Sequence, residues 1–547
     1  MPRLHAALRD FANLGAALAL CLACSSAHAQ QPAPTTLMTA DAAHQQPSHR
    51  APSSSAPSSG VYYEIFVRSW YDTNGDGTGD LNGVTAKLDY LQSLGVSGIW
   101  LMPINPSPSY HGYDITDYYG INPQYGNMHD FEHLLAEAHK RGIKVIMDLV
   151  INHSSNEHPW FKSALDPNSR YHDWYEWAGK YTDLDTLSAT GVNAWHATGA
   201  QRAGVEDYLG IFAPTMPDLN YDNPAVRAEM VNVGRYWLRK GVDGFRLDAA
   251  QHIYDDLQSD IDDPAVLAKN IVWWTEFRHG IEAINPHAYV VGEVTRKSAV
   301  ELAPYLKPLD AVFNFPLATQ LIDCAQQERN LSLAVILEHT YATYAAATAG
   351  HFDDAPFLSN HDQERVMSQL GNNPQHMRMA AALLLTLPGQ PYIYYGEELG
   401  TLGTKPDQAM REPMRWQRTP GGHGETTWET SSSGNGAEVS VEAEQADPNS
   451  LLHYYSMLIH WRSEISALRD GSFHVYPEAN DHLVAWERTD AQATVLVVHN
   501  LSGTTQSMPL DAPGEPHFSR VLRQSTTGAL IGASGLQLPP YSSVVLQ

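Results

Sequence analysis

Short apolar runs alternate along this chain with longer stretches that carry their apolar residues on one helical face. The runs fall at Tyr62–Val67, Gly98–Met102, Lys144–Val150, Val242–Leu247, Ala288–Gly292, Asp310–Phe315, Pro356–Ser359 and Pro391–Tyr395. Each is nearly continuous in its apolar character, which fits a strand buried on both faces rather than one with a solvent side. Between the runs the period changes to that of a helix. Phe131, Leu134, Leu135 and Ala138 recur at helical spacing ahead of Gly142, and Leu88, Leu91 and Leu94 do so ahead of Gly95. Eight buried strands separated by helices are what a closed parallel barrel needs, so the pattern predicts an α/β fold, a (β/α)8 barrel.

Some stretches break the alternation. About 70 residues separate the third run from the helix near Val226–Leu238, where a connection of about 2–6 is usual. They are aromatic and polar, with Trp160, Phe161, Trp174, Tyr175 and Trp177 close together. This predicts an inserted subdomain at 154–215 between barrel segments 61–153 and 216–460. Residues 419–449, rich in Gly, Ser, Thr and Glu, read as a long surface loop. Alternating runs at His482–Trp486, Thr494–His499 and Ser542–Leu546 predict a small antiparallel β domain, set at 461–547.

At the other end, Arg3 and Arg9 precede the apolar run Leu14–Ala23, and Ala27-His28-Ala29 offers a cleavage site. Residues 1–29 therefore read as an export signal and 30–60, rich in Pro, Ser, Gln and Ala, as a disordered linker. The apolar run is too short for a transmembrane anchor. Leu22-Ala23-Cys24 allows a second reading, lipid attachment through Cys24. After cleavage only Cys324 remains, so no intramolecular disulfide is expected. A secreted or periplasmic, monomeric protein is the expectation. The net charge of −27 argues against nucleic acid as a partner and suits an uncharged substrate.

The candidate chemistry lies where the runs end. DLVINH (148–153), GFRLDAAQH (244–252), GEV (292–294) and FLSNHD (357–362) each lead from an apolar run to a carboxylate or histidine. In a parallel barrel such ends open on one face, so Asp248, Glu293 and Asp362 are expected to converge. Converging carboxylates flanking a bond are what glycoside cleavage requires. Asp248 is the candidate nucleophile. Arg246, two residues earlier, points the same way and is expected to lower its pKa. Glu293 follows the apolar Tyr289-Val290-Val291-Gly292, a setting expected to raise its pKa, as a proton donor needs.

These stretches, together with MPDLN at 216–220, resemble the α-amylase family of retaining α-glycosidases, in the group between oligo-1,6-glucosidases and neopullulanases. The resemblance implies that Asp362 binds sugar hydroxyls and supports an oxocarbenium-like transition state, with His153 and His361 as hydroxyl-binding histidines. It implies that Tyr113 lies against the apolar face of the sugar, with Asp114 as a supporting carboxylate and Arg365 as a further cleft residue. Gln251 stands where many members have lysine, which implies weaker contact on the leaving-group side.

Ca2+ is the expected cofactor. Asp72, Asn74, Asp76, Thr78 and Asp80 put oxygen ligands at alternating positions, with a glycine at the sixth, as in a calcium loop. The twelfth position is Gly83, where an EF-hand needs Glu, so this is a different kind of loop. The resemblance implies that Thr78 contributes its carbonyl. It also implies a second calcium held by Asn152, Asp218 and the carbonyl of His252.

The expected activity is retaining hydrolysis of α-1,4-glucosidic bonds in an α-glucan or maltooligosaccharide. The alternatives are an α-glucosidase or glucosyl transferase using the same residues, and, more remotely, an inactive carbohydrate-binding protein.

Overall fold

Seven parallel strands form one curled sheet in the order Ala311–Val312, Tyr289–Gly292, Gly244–Leu247, Lys144–Leu149, Gly98–Leu101, Tyr62–Ile65 and Tyr392–Tyr394. In this computed structural model residues 60–199, 207–254, 256–477 and 480–547 are described. The expected signal segment, Cys24 and all but the last residue of the expected linker lie outside them. The ring is completed by residues 355–357, through single parallel bridges from Phe313 to Ala355 and from Phe357 to Tyr392. The seventh run, expected as a strand at Pro356–Ser359, thus contributes only isolated bridges. Pro356 has no N–H to give a ladder. The sixth run is also shorter than expected, because Asn314 leaves the sheet to cap the helix Phe315–Gln327, accepting from the amide of Leu317.

Alternation along the strands sorts their side chains. Tyr62, Trp100, Ile146, Tyr289, Val291, Phe313, Phe357 and Tyr392 fill the barrel interior. Tyr63, Ile65, Ile99, Leu101, Phe245 and Ile393 pack outward into the main cluster shared with the helices. The lower interior is aromatic, with Tyr62 stacked on Tyr289 at 5.6 Å and on Tyr392 at 5.2 Å. Gly98 makes room for it, since a Cβ there would sit 2.3 Å from the Tyr62 ring. Two residues up from Tyr62, on the same face, stands Glu64. On neighbouring strands Asp148 is in register with Arg246, and Arg246 with Val291, so the inward row turns polar at the C-terminal ends.

The helices begin and end where the chain's capping chemistry places them. Met128–Lys140 starts with a capping box between Asn127 and Asp130, and Leu88–Leu94 stops at Gly95, which has φ 98°. The helix Pro224–Lys240 stops at Gly241 in the same way. After the third strand the chain forms Pro159–Ala164 and a short pair, Trp195–His196 with Tyr208–Leu209, around packed aromatic rings. Residues 419–449 are mostly irregular but include the helix Val441–Ala446.

Beyond the helix Ser466–Asp470 comes an antiparallel sheet in the order Ser472–Val475, Leu483–Thr489, Thr494–Asn500, Ser542–Leu546 and Val521–Gln524. One face, with Trp486, Val497 and Val545, joins the barrel's main cluster; the other, with Leu496 and Val544, meets a three-stranded sheet. Cys324 is buried, and no helix among the described residues is long and apolar enough to cross a membrane.

Candidate active site

A cavity of about 820 Å³ opens at the C-terminal ends of the strands, and Asp248, Glu293 and Asp362 all line it, with Tyr113, His153 and Arg411. Beneath them lies the guanidinium of Arg246, fully buried. Its Nη1 donates to Asp248 Oδ1 at 2.6 Å and to Asp148 Oδ1 and Oδ2 at 2.9 and 3.1 Å. Its Nη2 lies 2.8 Å from Glu293 Oε2. One cation therefore holds three acids in a planar fork. Ala249, at φ 47°, turns its amide onto Glu293 Oε2 at 2.9 Å, a left-handed conformation that a non-glycine residue takes only where its surroundings enforce it.

The electrostatics differ from expectation at Asp248. Burial raises its pKa, and Arg246, whose charge is divided among three carboxylates, only partly opposes the rise. Glu293 goes up as expected, pushed by burial and by Asp248 and Asp362, against Arg246. Burial takes Asp148 up to about 7, again against Arg246. Asp362 behaves in the opposite way. Its side chain is 49 % exposed. Burial of its surroundings pulls its pKa up, but His361 and Arg411 outweigh this and hold it well below the usual carboxylate range. Arg411 Nη2 binds Asp362 Oδ1 at 2.7 Å.

The other expected residues divide into those at the cavity and those beneath it. Tyr113 lines the cavity and its hydroxyl donates to Asp148 at 3.0 Å. His153 also lines it, held by Asn152 Oδ1 at 2.9 Å and the Tyr113 carbonyl at 3.0 Å, and burial lowers its pKa to about 4. His361, expected on the sugar, is 0 % exposed; it lies under Tyr113, with its rings stacked at 5.4 Å, and faces carboxylates. Asp114 accepts from the hydroxyls of Ser107, at 2.5 Å, and Ser109, and so braces its own loop. Arg365, expected in the cleft, is buried under it. It donates to the carbonyls of Met410 and Tyr395, with its guanidinium 4.0 Å from the centre of the Tyr394 ring.

Sequence reasoning missed Asp148, Glu64, Arg411 and Phe212, whose ring lines the cavity 5.4 Å from that of His153. Asp148 opens the DLVINH stretch and could have been found as an acid in register with Arg246. Arg411 and Phe212 lie in irregular segments, where no periodicity reports which way a side chain faces.

The oxygen-rich loop has the donors a hard cation takes. Asp72 and Asp80 are buried, and Gly75 and Gly77 have φ of 82° and 91°, so the backbone folds around the aspartates. The carboxylates accept from the loop's own groups: Asp72 from the amides of Asn74, Gly75 and Gly77, Asp76 from Thr78, and Asp80 from Thr73 and Gly83. Among the described residues no three His, Cys, Asp or Glu side chains already converge as a metal cluster. Of the second trio, Asn152 and His252 meet: Asn152 Nδ2 donates to the His252 carbonyl at 2.7 Å, while Asn152 Oδ1 is turned to His153 at 2.9 Å. Asp218 keeps Oδ1 buried without a partner, an orphaned carboxylate oxygen of the kind a divalent cation takes.

Residues 64–471 match the alpha amylase catalytic-domain family, and residues 483–545 match the alpha-amylase SusG C-terminal domain. The chain belongs to the α-amylase family. It is 38% identical to alpha-amylase 3 of Dictyoglomus thermophilum over 89% of this chain and 93% of that one. It is 32% identical to a 4-alpha-glucanotransferase of Thermotoga maritima over 81% of this chain and 96% of the relative. Among solved structures, the alpha-amylase of H. orenii superposes with a TM-score of 0.80 at 42% identity, covering 89% of this chain and 99% of that one. This α-amylase-family chain is therefore a glycoside hydrolase of the retaining α-glycosidase type on a (β/α)8 barrel, with a C-terminal antiparallel domain.

Proposed function

We propose that the enzyme hydrolyses α-1,4-glucosidic bonds of starch, maltodextrins or maltooligosaccharides by double displacement. Asp248 Oδ1 is bound to Arg246, which leaves Oδ2 to attack the anomeric carbon. Glu293 Oε2 accepts from Ala249 and Arg246, which leaves Oε1 to carry the proton delivered to the leaving oxygen. Water then gives up one of its own protons to the Glu293 carboxylate as it displaces the sugar from Asp248, so the anomeric configuration is retained. Asp362, ionised and facing the cavity beside His153 and Tyr113, binds hydroxyls of the distorted sugar.

The observation that carries this reading is the hold of Arg246 on both acids at once. A single guanidinium keeps the two carboxyl groups close, as the retaining separation of about 5–5.5 Å demands. Similarity to two α-amylases supports α-1,4 hydrolysis over other reactions of the family. Transfer to a second sugar is the alternative. Gln251 argues against it, because an acceptor sugar must occupy the leaving-group side and the Gln251 amide is tied to Thr295 rather than free to hold a sugar there. A time course on maltoheptaose tests both. Early internal fragments with an α-anomer support the proposal, early glucose alone points to an exo-acting glucosidase, and products longer than the substrate point to a transferase.

Two further readings belong to this proposal. The Asp72–Asp80 loop would hold a structural Ca2+, with Asn152, Asp218 and the His252 carbonyl holding a second; either ion would supply charge neutralisation, with no part in bond cleavage. Residues 1–29 would direct export, which the basic and apolar order of that segment supports.

A further inference from the structure

His361 stands between two acids. Its Nδ1 is 2.5 Å from Oε1 of Glu64, on the first barrel strand. Its Nε2 is 3.1 Å from Oδ2 of Asp362 and 2.7 Å from the Tyr113 hydroxyl. A neutral imidazole has one N–H and one lone pair, so it can satisfy one carboxylate and must turn a lone pair on the other. Only the doubly protonated ring donates to both. The His361 side chain is 0 % exposed and that of Glu64 is 2 %, so water cannot supply the missing donor.

The groups around the ring are consistent with its being a cation. Asp148 and Asp248 add negative potential from the third and fourth strands, and Arg246 and Arg411 add positive charge. The Tyr113 hydroxyl donates its one hydrogen bond to Asp148 at 3.0 Å, so toward the ring nitrogen 2.7 Å away it is an acceptor. Arg411 fixes the ring's backbone, with Nε donating to the His361 carbonyl at 2.9 Å, and Trp100 packs edge-on at 5.6 Å. Although burial works against it, Asp362 and Glu64 together raise His361 to about 10.

We propose that Glu64 is a positioning residue of the reaction: its carboxylate keeps His361 doubly protonated, and the imidazolium in turn fixes Asp362 and the Tyr113 hydroxyl at the cavity. The inference rests on the reading of Asp362 as the acid that binds the sugar. It also explains why an acid occupies the interior row directly above Tyr62, where a carboxylate without a partner would be strongly disfavoured. The sequence gives no sign of it, because Glu64 lies in the middle of an apolar run and far from any motif.

The test uses the full-length enzyme and two readouts. The first is the charge of the ring itself, from imidazole nitrogen shifts of labelled histidine, with His361 identified by the signal lost in His361→Gln. In the wild type both nitrogens should be protonated through about pH 8, well above the ordinary histidine range; in Glu64→Gln the ring should be neutral there. The second is kcat/KM against pH. In Glu64→Gln the alkaline limb should move down by about one unit or more, and Glu64→Asp, which keeps the charge, should return it toward the wild type. A neutral His361 at about pH 8 in the wild type, or a Glu64→Gln limb that coincides with the wild type, overturns the proposal. The ring's charge is read without substrate, so it stands even if the α-1,4 assignment fails. If Glu64→Gln does not fold, a neutral ring in the wild type still overturns the proposal, and the comparison with Glu64→Asp carries the assignment to Glu64.

Discussion

Asp148, Asp248 and Glu293 crowd round one guanidinium, and three such acids cannot all be ionised cheaply in a dry pocket. The arrangement favours one carboxyl keeping its proton, and Glu293, with Oε1 free of protein partners, is placed to use it. It also makes the site tolerant of losing a negative charge, since Arg246 would still face two carboxyl groups. Asp248→Asn and Glu293→Gln are therefore expected to lower kcat by several orders of magnitude while leaving the melting temperature close to wild type. Steady-state kinetics and thermal melts check this together. An Asp248→Asn variant that kept more than about 5 % of wild-type activity would remove Asp248 from the role of nucleophile.

At the scale of elements, the loop Asp72–Asp80 is clasped to the segment after the last barrel strand. The Asp72 amide donates to the Gly424 carbonyl at 2.8 Å, and the Thr427 amide to the Gly77 carbonyl at 2.8 Å. A cation bound by the loop would therefore stabilise two distant pieces of chain at once. If it binds only the folded form, the gain is about 2.7 kcal/mol at a hundredfold excess over Kd. Chelator is expected to lower the melting temperature, calcium to restore it, and Asp76→Ala to remove most of that response. An unchanged melt in excess EDTA, with no metal by elemental analysis, would leave the loop a simple turn. The elements themselves were largely legible. Buried parallel strands have a pattern of their own, and the stops at Gly95 and Gly241 mark helix ends without any tertiary information. The shortened sixth run and the bridges at 355–357 were not, because Asn314 and Pro356 act through hydrogen bonds made or missing in three dimensions. In the site, the residues ending strands were readable. The burial of His361 and Arg365 was not, since one residue along an irregular segment can turn a side chain from the cavity to the floor beneath it.

On the scale of the whole molecule, acid acts on the fold in two opposing ways. Burial lowers His153 and His158 to about 4 and His499 to about 3, from an ordinary 6.5. A histidine held neutral contributes stability in full above its unfolded pKa and loses it as pH falls through the folded value. Burial also raises Asp148 and Asp354 to about 7 and Asp353 to about 6, and these carboxyls take up protons first in the folded state, so they add stability over the same interval. His499 lies between the barrel helix Pro374–Thr386 and the C-terminal sheet, 3.1 Å from Thr386 Oγ1 and 2.7 Å from Ser543 Oγ. Its share is read by difference: between about pH 7 and pH 4.5 the melting temperature of His499→Gln should fall by less, or rise by more, than that of the wild type, and equal changes in the two would contradict it. The barrel also has one seam. Around most of the ring the strands are joined by continuous ladders, whereas residues 355–357 hold on through single bridges on either side. Asp248 and Glu293 are carried by the laddered part and Asp362 by the chain just past the seam. A fluctuation that parts the ring there would carry away the third carboxylate and leave the other two on their shared arginine. Under gradual heating the enzyme would fall silent while most of its barrel was still intact, and would recover on cooling because so little had come apart.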